Sequence, residues 1–295
     1  MANRAYNFPG DASVTEYALD SDGNVSPIAT IAGPHTGLVE SSGVAVDREG
    51  KIYVANLTGV TVYPRGSNGD VAPIATIPGS TGGVALDSSD KLYVLSSGIS
   101  VYAPSSKGSF VLTAKISGPN TDLGLAFGLA LDSSGNIYVA NDSGIAAVNG
   151  RITVYAAGSD GDAAPTAVIE GSNTQIGDRL FSIAVDSKRN IYLGADVDRV
   201  ATGILVFPSG SNGNIAPSAT IAGSNTLVFF PLGIALDPAG NIYVATSDDR
   251  PSFAILVYGP GSNGNVPPKR LIAGDKTSLF DPDGIGIGPN PTPTP

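Results

Sequence analysis

The chain of 295 residues carries 38 Gly and 22 Pro, too many turn formers for a helical protein, while a 42% hydrophobic content is enough for a packed core. A formal charge of −10, with no basic cluster among 16 Lys and Arg, excludes nucleic acid and anionic lipid as natural partners. The absence of Cys and the presence of one His exclude disulfides, thiolate metal sites and His-rich zinc sites, and no apolar stretch reaches the roughly 18–20 residues of a membrane span.

From the N-terminus onward the chain cycles through four short apolar segments. MANRAYNFPG has no apolar run of the secretory-signal type, and Ala5-Tyr6-Asn7 within it resembles a segment called b below. VTEY (14–17) and PIATI (27–31) follow as segments c and d. Segment a then appears as GVAVD (43–47), with copies at 83–87, 128–132, 182–186 and 233–237 and a last, degraded copy, GIGIG, at 284–288. Segment b follows each complete a as KIYVA, KLYVL, NIYVA, NIYLG and NIYVA. Segment c recurs as VTVY, ISVY, ITVY, ILVF and ILVY, and segment d at 73–77, 112–116, 165–169, 217–221 and 268–272. Each run is short, rich in Val, Ile, Thr and Tyr, and bounded by Gly, Asn, Asp or Pro, which are strand signals. All eleven tyrosines obey this order: five in b, five in c, and Tyr6.

Four antiparallel strands in a unit repeated six times predict an all-β, six-bladed β-propeller, because a lone four-stranded sheet cannot bury both faces and stacked blades can. The chain starts without a preceding a and ends with an a lacking its b. The C-terminal strand is therefore expected to join the N-terminal blade and close the ring, with the Tyr6 segment as its partner. The propeller spans 1–289, and the proline-rich 290–295 reads as a linker remnant of a longer chain.

The unit G-[VLI]-A-[VL]-D-x-x-G-[NK]-[IL]-Y-V-A resembles the NHL repeat, and at a greater distance the gluconolactonase-type propellers. The NHL resemblance implies a platform for protein, RNA or ligand. The gluconolactonase resemblance implies a divalent cation at the channel mouth, polarising a lactone carbonyl. Glu40, Asn56, Asn141 and Asp196 would supply its oxygens, with Ca2+ as the cofactor; the N-terminal Glu-Gly-Pro segment of that family is not present.

The a-to-b spacing is six residues in every complete copy and the c-to-d spacing 14 in all six, whereas b-to-c and d-to-a links vary. Function is therefore expected on the b–c and d–a loops. The segment-a aspartates Asp47, Asp87, Asp132, Asp186 and Asp237 read as turn formers with Gly at the positive-φ position, and Gly-Ser-Asn-Gly-Asn segments as hairpin loops. The longest b–c loops, 141–151, 195–203 and 246–254, belong to adjacent blades 4, 5 and 6. Candidate ligand-binding residues there are Asn141, Asp142, Asp196, Asp198, Arg199, Asp248, Asp249, Arg250 and Phe253. They read either as solvated loop charges or as an acidic mouth. Phe127, Phe181, Phe229, Phe230 and Phe280 are expected to pack between blades, and Phe253 to be exposed. His35 is a lone loop histidine, and no nucleophile elbow, phosphate loop or HExxH motif occurs.

The expectation is a non-enzymatic platform for a protein or carbohydrate partner, monomeric, without nucleic acid or membrane insertion, extracellular or periplasmic. A cation-dependent lactone hydrolase is the alternative. Asn24, Asn56 and Asn141 begin Asn-x-Ser/Thr sequons.

Overall fold

The apolar segments form strands because Val, Ile, Thr and Tyr favour extended backbone, and Asp-x-x-Gly turns end them. The computed structural model describes residues 1–3, 12–79, 81–105, 108–142, 150–198, 201–247 and 253–289. Blade 1 contributes β1 (Ala2–Asn3), β2 (Ser13–Glu16) and β3 (Ala29–Ala32). Blade 2 holds β4 (Gly43–Val46), β5 (Ile52–Asn56), β6 (Gly59–Tyr63) and β7 (Ala75–Pro78). Blade 3 holds β8 (Gly83–Leu86), β9 (Leu92–Leu95), β10 (Ile99–Pro104) and β11 (Phe110–Ile116). Blade 4 holds β12 (Leu125–Leu131), β13 (Ile137–Asp142), β14 (Arg151–Tyr155) and β15 (Ala167–Ile169). Blade 5 holds β16 (Ile176–Val185), β17 (Ile191–Val197), β18 (Ala201–Phe207) and β19 (Ala219–Ala222). Blade 6 holds β20 (Phe230–Leu236), β21 (Ile242–Ser247), β22 (Ala254–Tyr258) and β23 (Arg270–Ala273), and β24 (Pro282–Gly284) returns to blade 1. Each blade is a four-stranded antiparallel sheet, and the first strands of neighbouring blades pack on one another around the axis.

The ring closes as expected, but through a different strand. β1 lies between β24 and β2, with Ala2 opposite both Gly284 and Val14. The partner of the closing strand is thus Ala2–Asn3; Ala5-Tyr6-Asn7, expected in that place, lies outside the described residues. The signal is legible in hindsight: Met1-Ala2-Asn3 repeats Val54-Ala55-Asn56 and Val139-Ala140-Asn141. The amides agree. Asn3 Nδ2 donates to Thr15 Oγ1, as Asn56 does to Thr61 and Asn141 to Thr153.

Glycine opens segment a because the inner strands touch backbone to backbone. A Cβ on Gly284 would sit 2.6 Å from the Gly43 Cα. Blade 5 has Ser182 instead, whose Oγ donates to the Pro231 carbonyl at 2.5 Å, and its cross-strand partner is Gly194. The Gly–Ala pair of blades 2, 4 and 6 (Gly43–Ala55, Gly128–Ala140, Gly233–Ala245) has become Ser–Gly.

The two tyrosine columns hold different things. In segment b, Tyr53, Tyr138 and Tyr243 donate to the carboxylates of Asp47, Asp132 and Asp237 at 3.2–3.3 Å. Asp47 Oδ1 also accepts the Glu49 and Lys51 amides, as the turn reading requires. Asp90 and Arg189, not glycine, take the left-handed position in two of these turns. In segment c, buried Tyr63 and Tyr155 donate to the carbonyls of Thr36 and Thr121 at 2.5 Å, and Tyr17 and Tyr258 do the same to Thr277 and Thr226. Each of those threonines sits in a d–a loop, which the tyrosine thereby ties to the core.

The c–d loops do more than turn the chain. Asn68 Oδ1 accepts the Thr30 amide at 2.9 Å, the Gly69 amide donates to the Thr30 carbonyl at 2.7 Å, and Asp70 Oδ1 accepts the His35 amide at 2.8 Å. Blade 2 thus clasps the outer strand and d–a loop of blade 1. The same three bonds recur for Asp160-Gly161-Asp162, Asn212-Gly213-Asn214 and Asn263-Gly264-Asn265. Asp22-Gly23-Asn24 makes them across the ring closure. His35, exposed, adds a 2.6 Å contact from Nδ1 to Asp70 Oδ2. Blade 3 departs from the pattern: the Ser105 amide donates to the Ser109 carbonyl at 2.7 Å, and the Gly108 amide donates to the Ser105 carbonyl at 3.1 Å rather than to blade 2. Phe110 meets Tyr53 of blade 2 edge-on at 6.0 Å instead.

Candidate functional site

The b–c and d–a loops are not equal around the ring. In blades 2 and 3 the inner strand starts at its glycine, Gly43 or Gly83. In blades 4, 5 and 6 it starts earlier, at Leu125, Ile176 and Phe230. These extensions pair with lengthened second strands, Leu125 opposite Asp142, Ile176 opposite Val197 and Phe230 opposite Ser247. The result is a raised wall over half the loop face. A one-residue register shift falls at 127, 181 and 232, just before the segment-a residue of each of these blades. Such bulges redirect side chains, and two of the bulged residues are Phe127 and Phe181.

The wall carries aromatic side chains on its surface. Phe127 is 51% exposed, Phe229 40% and Phe280 56%, and Leu125 and Leu227 stand beside them in sequence, also exposed. Burial between blades, expected for Phe127, Phe229 and Phe280, is therefore not what the structure shows. The reason is that the extended strands and d–a loops lift them above the blade interfaces. Phe181 and Phe230 pack edge to face at 5.7 Å, and Phe229 meets Phe230 at 5.4 Å. Arg179 lies over both Phe181 and Phe230, at 5.8 and 5.5 Å from the ring centres. Its Nε donates to Asp196 Oδ2 at 2.8 Å and its Nη2 to Oδ1 at 3.3 Å. That hydrogen bond to Asp196 holds the guanidinium further above its ordinary value. Phe253 is half-buried and packs edge-on against Phe280 at 5.4 Å.

The residues singled out from sequence separate into three groups. Asp142 and Asp198 lie on the wall, Asp142 ending β13 and Asp198 in a left-handed turn after β17. Arg199, Asp248, Asp249 and Arg250 lie outside the described residues. Asn141 is buried: its Oδ1 accepts the Gly124 amide, and its Nδ2 donates to the Val139 carbonyl and Thr153.

The calcium set fares similarly. Asn56 is fully buried, with Oδ1 accepting from the Val39 amide and Ser41 Oγ, and Nδ2 donating to the Val54 carbonyl and Thr61. Asp196 is engaged by Arg179. Glu40 sits in blade 2's d–a loop at φ 45°. A cation would have to displace these bonds, so Asn56, Asn141 and Asp196 do not fit it as they stand. Among the described residues no cluster of three or more His, Cys, Asp or Glu could hold a metal ion. The same burial removes Asn56 and Asn141 as glycosylation acceptors in the folded state. Arg179 and its aromatic partners went unrecognised as a unit because only Arg179 and Phe181 share a strand, β16, while Asp196 comes from β17 and Phe230 from β20 of the next blade.

No family profile and no curated protein matches the chain. Solved structures do match it. A protein of unknown function from Bacteroides caccae superposes with a TM-score of 0.61 at 12% identity, over 95% of this chain and 98% of its own. Nidogen, from a nidogen–laminin complex, gives 0.58 at 14% identity over 92% and 95%. The periplasmic gluconolactonase of Pseudomonas aeruginosa gives 0.52 at 11% identity over 87% and 74%. The chain is a six-bladed β-propeller. At these identities the propeller shares a fold with its neighbours, and its function must be argued from its own surface. No helix among the described residues is long and apolar enough to cross a membrane.

Proposed function

We propose that this propeller is a non-enzymatic binding platform that takes a protein partner on the raised half of its loop face. The observation that carries this reading is the exposure of Leu125 and Phe127, on the extended start of β12, and of Leu227, Phe229 and Phe280, on the loops that precede the inner strands of blades 6 and 1. Exposed aromatics on a rigid scaffold are the usual anchors of protein interfaces. Asp142, Asp198 and the Arg179–Asp196 pair supply a polar rim. The structural likeness to nidogen, solved in a complex with laminin, supports this reading. The compartment proposed is extracellular or periplasmic.

Photo-crosslinking groups placed singly at 127, 229 and 280, and at the exposed residues Leu19 and Ile28 as controls, test the placement. In extracts of the source organism the three aromatic positions should give one shared adduct that unlabelled protein competes away. Adducts of equal yield at 19 and 28 would contradict it.

A further inference from the structure

Among the described residues five clasps bind the blades, and the sixth position keeps a socket into which no described side chain reaches. Every outer strand is followed by a glycine two residues after its isoleucine: Gly33, Gly79, Gly118, Gly171, Gly223 and Gly274, with φ between 115° and 143°. At five of them a Cβ would run into the second Asx of the next blade's loop, at 2.3–2.6 Å. At Gly79 the same Cβ meets nothing within 4 Å, although the backbone holds the same conformation. Thr76, on the outer strand β7, is the equivalent of clasped Thr30; it is exposed, and no described loop reaches it. In blade 3 the Gly108 amide donates to its own blade's Ser105 carbonyl, and Ser105 pairs with Ser109, where the other five blades carry Asx-Gly-Asx. Exposed Ile74, at the start of this segment, and Val111 and Leu112, on the neighbouring hairpin, add apolar surface.

We infer that the outer edge of β7, from Thr76 to Gly79, is a second docking site, and that its occupant is a loop of a partner polypeptide carrying Asx-Gly-Asx. The chemistry is written five times in this molecule. The first Asx accepts the strand N–H, the glycine N–H donates to the same residue's carbonyl, and the second Asx packs on the socket glycine. A strand edge with free backbone groups is a template for such pairing. The chain's own described Asx-Gly-Asx loops are all engaged internally, which points to a different chain.

The test is a titration of the 15N-labelled protein with a peptide of this chain's own residues 63–73, which contains Asn68-Gly69-Asp70. Saturable shifts confined to the amides of Thr76, Gly79 and their neighbours are expected. The peptide with Ala at both Asx positions should bind at least about tenfold more weakly, the effect of losing net hydrogen bonds of ordinary strength. A second protein, Lys107→Asn with Ser109→Asp, fills the socket from blade 3; it should slow hydrogen exchange at Thr76 to the level of Thr30 and abolish peptide binding. Equal binding of both peptides, no shift at Thr76, or no protection by the grafted loop would each overturn the assignment. So would protection of Thr76 that rises with protein concentration alone, which would give the edge to a second copy.

Discussion

Ser182 and Gly194 show how tightly single residues are set. The space beside an inner strand admits one Cβ per pair, and blade 5 puts it on the other partner. Gly194→Ala should destabilise the protein by about 1–3 kcal/mol, the usual cost of overpacking, because its new methyl meets Ser182 Oγ at 2.6 Å and the Pro231 carbonyl at 2.8 Å. Adding Ser182→Gly restores the Gly–Ala pair of blades 2, 4 and 6 and should recover most of that loss, read as a double-mutant cycle in urea. The segment-a aspartates set the acid limit. Burial alone would raise Asp132 and Asp237, but hydrogen bonds from Asn136, Ser134 and Tyr138, and from Asn241, Tyr243 and Ala239, hold both carboxyls below the ordinary value of 3.8. A depressed native value means stability that is complete above the unfolded value and lost as pH falls through the native one. The melting temperature should therefore be flat above about pH 5 and fall below about pH 4, less steeply in Asp132→Asn. The turn role of these aspartates was legible because the spacing to tyrosine never varies. The role of Asn56 and Asn141 was legible only as a pairing: where segment c has Thr, segment b is followed by Asn. A buried, saturated amide and an exposed ligand look alike until the partner threonine is considered.

At the scale of elements, the strands could be read and the clasps could not. Asn-Gly and Asp-Gly between apolar runs signal a hairpin, and hairpin turns are present. That their side chains reach across to another blade depends on blade stacking, which no local pattern encodes. The sequence did hold a trace: the d–a link after segment d of blade 2 is six residues instead of 12 or 13, and the same seam has Lys107-Gly108-Ser109 for Asx-Gly-Asx. Asn263→Ala, which strips the acceptor from the Thr220 amide, should cost about 0.5–1.5 kcal/mol in urea denaturation. Ser109→Ala, at a position that clasps nothing, should cost less than half as much.

The whole molecule is a ring with two unlike halves. Six blades and their closure followed from counting; the identity of the closing strand did not, because two residues of β1 carry too little pattern to compete with Ala5-Tyr6-Asn7. The long b–c loops belong to blades 4 to 6, whose inner strands start earlier than those of blades 2 and 3. The surface they lead to was missed, because the raised wall is made by bulged strands that lift phenylalanines usually expected in a core. With Asn56 and Asn141 bonded internally, neither chelator nor added Ca2+ should move the melting temperature by more than about 1 °C, against the several degrees that a ligand well above its Kd would give.

The most direct measurement is the affinity of the cross-linked partner for Phe127→Ala/Phe229→Ala/Phe280→Ala, compared with wild type by calorimetry alongside thermal melting. The platform account predicts a loss of at least about 100-fold, since truncating interface anchors commonly costs 1–2 kcal/mol or more each, with a melting temperature within about 2 °C of wild type. Unchanged affinity in a variant that melts normally would contradict it.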